Sequence, residues 1–177
     1  MVQETLTPTL FDKLVGGLTI AGLTDQSDDK EERIAREQFR NYVIPDLNRF
    51  NEKAMRQTLR RDLAWLLNTT NLGASVDLED YPNVATSVLN FGVPDLAGQA
   101  ASRTVIRRRA REIRKAILTF EPRFEEAGLR VEPLDEIEKI NSVTYVISGD
   151  IGSAVRAMPV KFKTDVDAEI ASVDVRE

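Results

Sequence analysis

The feature that most constrains this chain is a change of hydrophobic period at Gly128. Before it, apolar residues recur every three or four positions, the spacing of one face of a helix. Met55, Leu59, Leu63, Leu66 and Leu67 draw such a stripe, and Val105, Ile106, Ala110, Ile113, Ala116, Ile117 and Phe120 draw a second. After Gly128 the apolar residues alternate with polar ones. Leu129 and Val131 do so first, then Val143, Tyr145 and Ile147, then Val160, Phe162 and Val166, with Ile170, Val173 and Val175 as a last strand. Helices first and strands second, joined by short connections, exclude repeating βαβ units. The pattern predicts an α+β fold: N-terminal helices packed on a C-terminal antiparallel sheet of three to four strands.

Local signals place the ends of these elements. Leu10, Phe11, Leu14 and Val15 form a short helical cluster broken by Gly16 and Gly17. A charged stretch then leads to a predicted helix at about Lys30–Val43, closed before Pro45. In the second helix Arg56, Arg60 and Arg61 fall largely off the apolar stripe, and Trp65 stands to one side, either widening the core face or reaching toward a partner. Pro82, Gly92, Pro94 and Gly98 mark a turn-rich connector around "VATSVLNF". Ser102 is positioned to cap the long helix and Pro122 to end it, since proline lacks the N–H and clashes with the preceding turn. The chain divides into an N-terminal segment with a charged insert, residues 1–53, and an α+β domain, residues 54–177.

Composition removes much chemistry. A chain of 177 residues, 42% hydrophobic and 30% charged, can bury a core. It has no cysteine and no histidine, so disulfide frameworks, Ser-His-Asp and Cys-His nucleophile systems and His/Cys zinc sites are excluded. No apolar run reaches the roughly 20 residues of a membrane span, so direct membrane insertion is not expected. The start has no basic region followed by an apolar one, as a signal peptide would.

The remaining candidates are charged. Arg103, Arg107, Arg108, Arg109, Arg111, Arg114 and Lys115 cannot share one narrow helix face. Without aromatic residues among them, and with a net charge of −5, they read as a solvated or partner-facing surface rather than a nucleic-acid site. Acid clusters occur at Asp77, Glu79 and Asp80, at Glu121, Glu125 and Glu126, and at Asp135, Glu136 and Glu138. No motif singles out a catalytic pair among them. No catalytic, cofactor or metal residue is therefore assigned.

The corner Phe120–Phe124, "FEPRF", admits two readings. In one, Pro122 stops the helix, Phe120 and Phe124 anchor the turn, and Glu121 and Arg123 are simply exposed. In the other, Glu121 and Arg123 project from a rigid corner and pair with charges on another chain, a role suited to the planar fork of arginine. The residues alone leave both open.

Several stretches occur together in order: "LFDKL", "LRRDLAWLLNTT", "YPNVATSVLNFGVPDLAG", "IRKAILTFEPRFE" and "MPVKFKTDVD". Jointly they resemble the TssE family of type VI secretion baseplate subunits, within the wider wedge family of contractile-tailed phages. The departure is residues 23–52, long and charged for that family. The resemblance implies an assembly protein rather than an enzyme, in a cytoplasmic, membrane-proximal baseplate. It implies TssF, TssG and TssK as wedge partners and a link to the TssB/TssC sheath, whose strands the sheet can join. It assigns Glu121, Pro122 and Arg123 to the contact with the wedge core, and Lys161 and Lys163 on the third strand complete the interaction set. A carboxylate-based peptidoglycan hydrolase and a wedge subunit of a phage-like tail are the alternatives.

Overall fold

A computed structural model describes residues 8–15, 50–95, 102–134, 142–151, 158–167 and 172–176. The helix expected at Lys30–Val43 and the strand start at Ile170 lie outside them. The helices come first: α1 (Leu10–Val15), α2 (Glu52–Leu67), α3 (Pro82–Ala85) and α4 (Arg103–Phe120), with 3-10 turns at Leu72–Ala74 and Val88–Asn90. The strands follow: β1 (Arg130–Pro133), β2 (Ser142–Ile151), β3 (Met158–Asp167) and β4 (Val173–Arg176), an antiparallel meander in chain order. The α+β architecture expected from the period switch is the one observed.

Caps fix where the helices begin. Asn51 accepts a bond from the Ala54 amide at 2.9 Å, and Ser102 one from the Val105 amide at 3.3 Å. At α1 the Thr9 hydroxyl and the Asp12 carboxylate each accept from the other's backbone amide at 3.2 Å, a reciprocal capping box. Both long helices lie on one face of the sheet, α4 over β1 and α2 over β4. Leu59, Leu63, Ile113 and Ile117 meet Tyr145, Ile147, Phe162 and Val166, all fully buried. Each such aliphatic side chain contributes on the order of 1.5–3 kcal/mol.

The sheet edges are closed by specific devices. Asn68 donates to the Val173 carbonyl at 2.9 Å and accepts from the Val173 amide at 3.0 Å, while Arg60 donates to the Val175 carbonyl at 2.6 Å. Helix α2 thus occupies the outer edge of β4. At the opposite edge Arg114 donates to the Leu129 carbonyl at 3.1 Å, and the Leu134 amide turns inward to Thr144 at 2.8 Å. Strand residues alternate in direction, so Val131 and Pro133 face outward, and Pro133 has no N–H to offer. Along β3, only Lys163–Val166 pairs with β4. Among the described residues the Met158–Phe162 half of that edge has no neighbour, and Pro159 and Lys161 face out along it.

The connector is held by one glycine. Gly92 has φ +122°, and a Cβ there would stand 2.2 Å from the Thr69 carbonyl oxygen. That approach lets Val93 donate to Thr69 at 2.9 Å and accept from Asn71 at 3.0 Å, tying the connector to the end of α2. Gly92→Ala is therefore expected to cost about 2–3 kcal/mol, from backbone strain and the lost bridge. Urea denaturation of the purified variant checks this.

Buried Tyr145 gives a second measurable consequence. Burial raises its phenol from 10.0 to about 12, partly offset by the Arg109 guanidinium, with Glu112 pushing further up. A folded-state value above the unfolded one means that the folded chain holds the proton longer. Stability is then intact below pH 10 and falls as pH rises from 10 toward 12, by on the order of 2–3 kcal/mol. Urea denaturation between pH 9 and 11.5 is expected to show this loss in the parent chain, and a correspondingly smaller loss in Tyr145→Phe.

Candidate functional site: an ion-paired corner

The turn after α4 folds inward. Pro122 is exposed, but the Glu121 side chain is 9% accessible and that of Arg123 13%. Both sequence readings had these two residues facing outward, and the geometry corrects them. Arg123 lays its fork on Glu121, Nε to Oε1 at 2.6 Å and Nη2 to Oε2 at 2.5 Å. The same Nη2 reaches Asp62 Oδ2 at 2.5 Å, and Nη1 reaches the Thr58 hydroxyl at 3.4 Å. Phe124 is buried as expected, and Phe120 packs half-buried against Phe91 at 5.4 Å between ring centres.

The pairs continue through α2. Asp62 offers its other oxygen to Arg61, Nε at 2.8 Å and Nη2 at 2.7 Å. Arg61 in turn reaches Asp12 on α1 through Nη1 at 2.8 Å, with neither of those two side chains accessible. Arg61 was expected off the apolar stripe and is instead fully buried. Its charge is covered by aromatic rings: Phe11 at 4.9 Å and Trp65 at 4.8 Å, which themselves meet edge to face at 5.1 Å. Trp65 thus serves as a lid on a cation. Asp12, Arg61, Asp62, Arg123 and Glu121 form an alternating chain of charges that ties α1, α2 and the corner together.

Among the described residues three carboxylates face two guanidinium groups, so these five groups, fully ionised, carry one net negative charge. Burial pushes the Asp62 carboxyl above its usual range, against the pull of Arg61 and Arg123 and with a further push from Glu121. The Arg123 guanidinium is held protonated by Glu121 and Asp62 despite its burial. Beside the cluster lies a pocket of about 290 Å³, walled by Phe11, Trp65, Leu66, Phe91 and Phe120 and bordered by Asp62, Glu121, Pro122 and Arg123.

The sequence-assigned residues thus divide. Glu121, Pro122 and Arg123 meet at the pocket, whereas Lys161 and Lys163 stand on β3, on the polar face opposite buried Val160 and Phe162. Sequence reasoning missed Asp12, Arg61 and Asp62. A signal existed, because Arg61 and Trp65 are four apart on one helix and therefore neighbours.

The chain thus forms an α+β unit with an antiparallel sheet and an ion-paired Glu-Pro-Arg corner. A family model described as baseplate wedge protein gp25 matches residues 53–154, which span α2 through β2. The chain belongs to this baseplate wedge family, which includes the TssE proteins. No curated protein and no solved structure gives a significant match. Among the described residues no helix is long and apolar enough to cross a membrane.

The charge chain predicts a stability effect with its own reporter. Asp12→Ala leaves Arg61 without its α1 partner, and breaking a buried pair from one side is costly. Urea denaturation is expected to show a loss of roughly 2–4 kcal/mol, with the emission of Trp65, the single tryptophan, shifting to the red as α1 lifts away.

Proposed function

We propose that this chain is the wedge subunit joining the baseplate of a type VI-like contractile injection machine to the first ring of its sheath. In this role it acts by holding partners, not by catalysis. The family membership supports a baseplate role, and the observation that carries the finer reading is the pocketed corner. Five apolar side chains wall a cavity whose border is a rigid, slightly acidic ion cluster. Such a site suits an apolar side chain from a partner helix, with hydrogen-bond donors alongside. TssF- and TssG-like wedge proteins, with a TssK-like component, are the partners in this reading, and the wedge assembles on the cytoplasmic side of the membrane.

The sheath link falls to the sheet. Strand addition needs a free row of backbone groups, and β4 and β1 offer little. The Met158–Phe162 half of β3 is the tract we assign to a TssB/TssC strand, with Lys161 and Lys163 flanking it on the polar face.

Two variants test the corner with little change to the fold. Glu121→Gln keeps the shape and loses the charge, and Arg123→Lys keeps the charge and loses the fork. Both are expected to stay folded, melting several degrees below the parent chain, and to recover the TssF- and TssG-like partners several-fold less well in pull-downs at a temperature where both remain folded. Recovery at parental levels by both would sink the reading. Lys161→Pro removes the one outward N–H of the free β3 tract. It is expected to abolish sheath recruitment while wedge assembly persists, and unchanged sheath recruitment would exclude strand addition there.

A further inference from the structure

The connector between α2 and α4 exposes apolar side chains on a scaffold built to keep them still. Val88 is 83% accessible, Leu89 70% and Tyr81 60%, with Val76 and Leu72 also exposed. Single exposed leucines need no explanation, but several from one small unit do. The 3-10 turn carrying Val88 and Leu89 is fastened at every point. The Ser87 hydroxyl accepts from the Leu89 amide at 3.3 Å and donates to the Val84 carbonyl at 2.9 Å. The Asn90 amide spans two neighbouring turns, accepting from the Gly73 amide and donating to the Ala85 carbonyl, each at 2.8 Å. Phe91 meets Phe120 of α4 edge to face, and Gly92 locks against Thr69. A rigid apolar knuckle loses little entropy on binding, which marks it as a contact surface rather than a loose loop.

The charge around it names the partner. From Asp62 to Ser102 the sequence carries Asp62, Asp77, Glu79, Asp80 and Asp95 and no lysine or arginine. Asp77, Glu79 and Asp80 are exposed on the same connector, and Asp77 accepts from the Glu79 amide at 3.0 Å, which fixes the turn that presents them. An apolar centre with a one-sided acidic rim selects its complement and repels anionic surfaces. We propose that the Leu72–Leu89 knuckle is a docking surface for a protein segment whose apolar side chains are flanked by lysine or arginine. Its exposed side chains line no part of the Glu-Pro-Arg pocket, which it adjoins through Phe91, and it does not depend on the wedge role.

Photo-crosslinking in the chain's own cell tests this directly. p-Benzoylphenylalanine replaces Leu89 in the full chain, and exposed Lys53, which lies on neither proposed surface, serves as the control position. The adduct peptide is sequenced by mass spectrometry. The expected result is an adduct from position 89, absent from position 53, on a segment of another protein with basic residues around an apolar core. Combining Asp77→Asn, Glu79→Gln and Asp80→Asn is expected to lower its yield at least about threefold, with circular dichroism unchanged. An adduct on a neutral or acidic segment, an adduct on the basic helix α4 of a second copy, or no adduct above the control would each overturn the proposal. The pull-downs at Glu121 and Arg123 read out independently, so either idea can fail alone.

Discussion

The described structure turns on one constraint: five charged side chains are gathered where water is scarce. Asp12, Arg61, Asp62, Arg123 and Glu121 alternate in sign, so each buried charge has an opposite neighbour. Removing such groups from water is costly, and attraction offsets the cost only when the geometry is good. Here Arg123 lays its fork on Glu121, Arg61 divides its bonds between Asp12 and Asp62, and the aromatic faces of Phe11 and Trp65 cover Arg61. A helix of six residues such as α1 would not persist alone. It is held because Asp12 completes the chain and Phe11 completes the cover. The corner is likewise rigid because Arg123 is bound from two sides, by Glu121 of the corner itself and by Asp62 and Thr58 of α2.

The second organising problem is the sheet. A four-stranded antiparallel meander has two edges, each a template for unwanted pairing. Helix α2 closes one by placing Asn68 and Arg60 where a fifth strand would bond. Pro133 and Arg114 blunt the other. β4 is shorter than β3, so among the described residues the end of β3 has no neighbour, and there Pro159 removes a donor and Lys161 adds an exposed charge. Both limit promiscuous pairing while leaving one residue with a full donor–acceptor pair. A partner strand can be admitted at a defined register, which suits controlled assembly better than an open edge would.

How far the sequence could be read follows from the range of each interaction. The helices, their caps at Ser102 and Pro122 and the meander came from periods and punctuation, which are local. The resemblance supplied the family because several modest motifs stand in order. The corner was misread because its partners are distant: nothing local to "FEPRF" says that Arg123 turns back to Asp62 on α2. Arg61 was misread for a related reason. In "LRRDLAW" two adjacent arginines compete for the inward position, and periodicity alone does not rank a charged residue as core. The deciding information lies on α1, in the Phe11–Asp12 pair that covers and neutralises it.

This geometry changes what the Glu-Pro-Arg corner can offer a partner. Glu121 and Arg123 already satisfy each other, and Asp62 takes the remaining bond. A partner that claimed either charge would have to break a bond whose loss exposes a buried ion, so exchange of ion pairs is an unfavourable way to dock. What stands free is exposed Pro122 and the apolar wall of Phe11, Trp65, Phe91 and Phe120. On the proposed role, the charges act by shaping this wall and by setting three carboxylates against two guanidinium groups, among the described residues, at its border. Partner affinity should then follow the shape of the corner at least as closely as its charge. The Arg123→Lys variant, which preserves charge and spoils the fork, separates those two contributions.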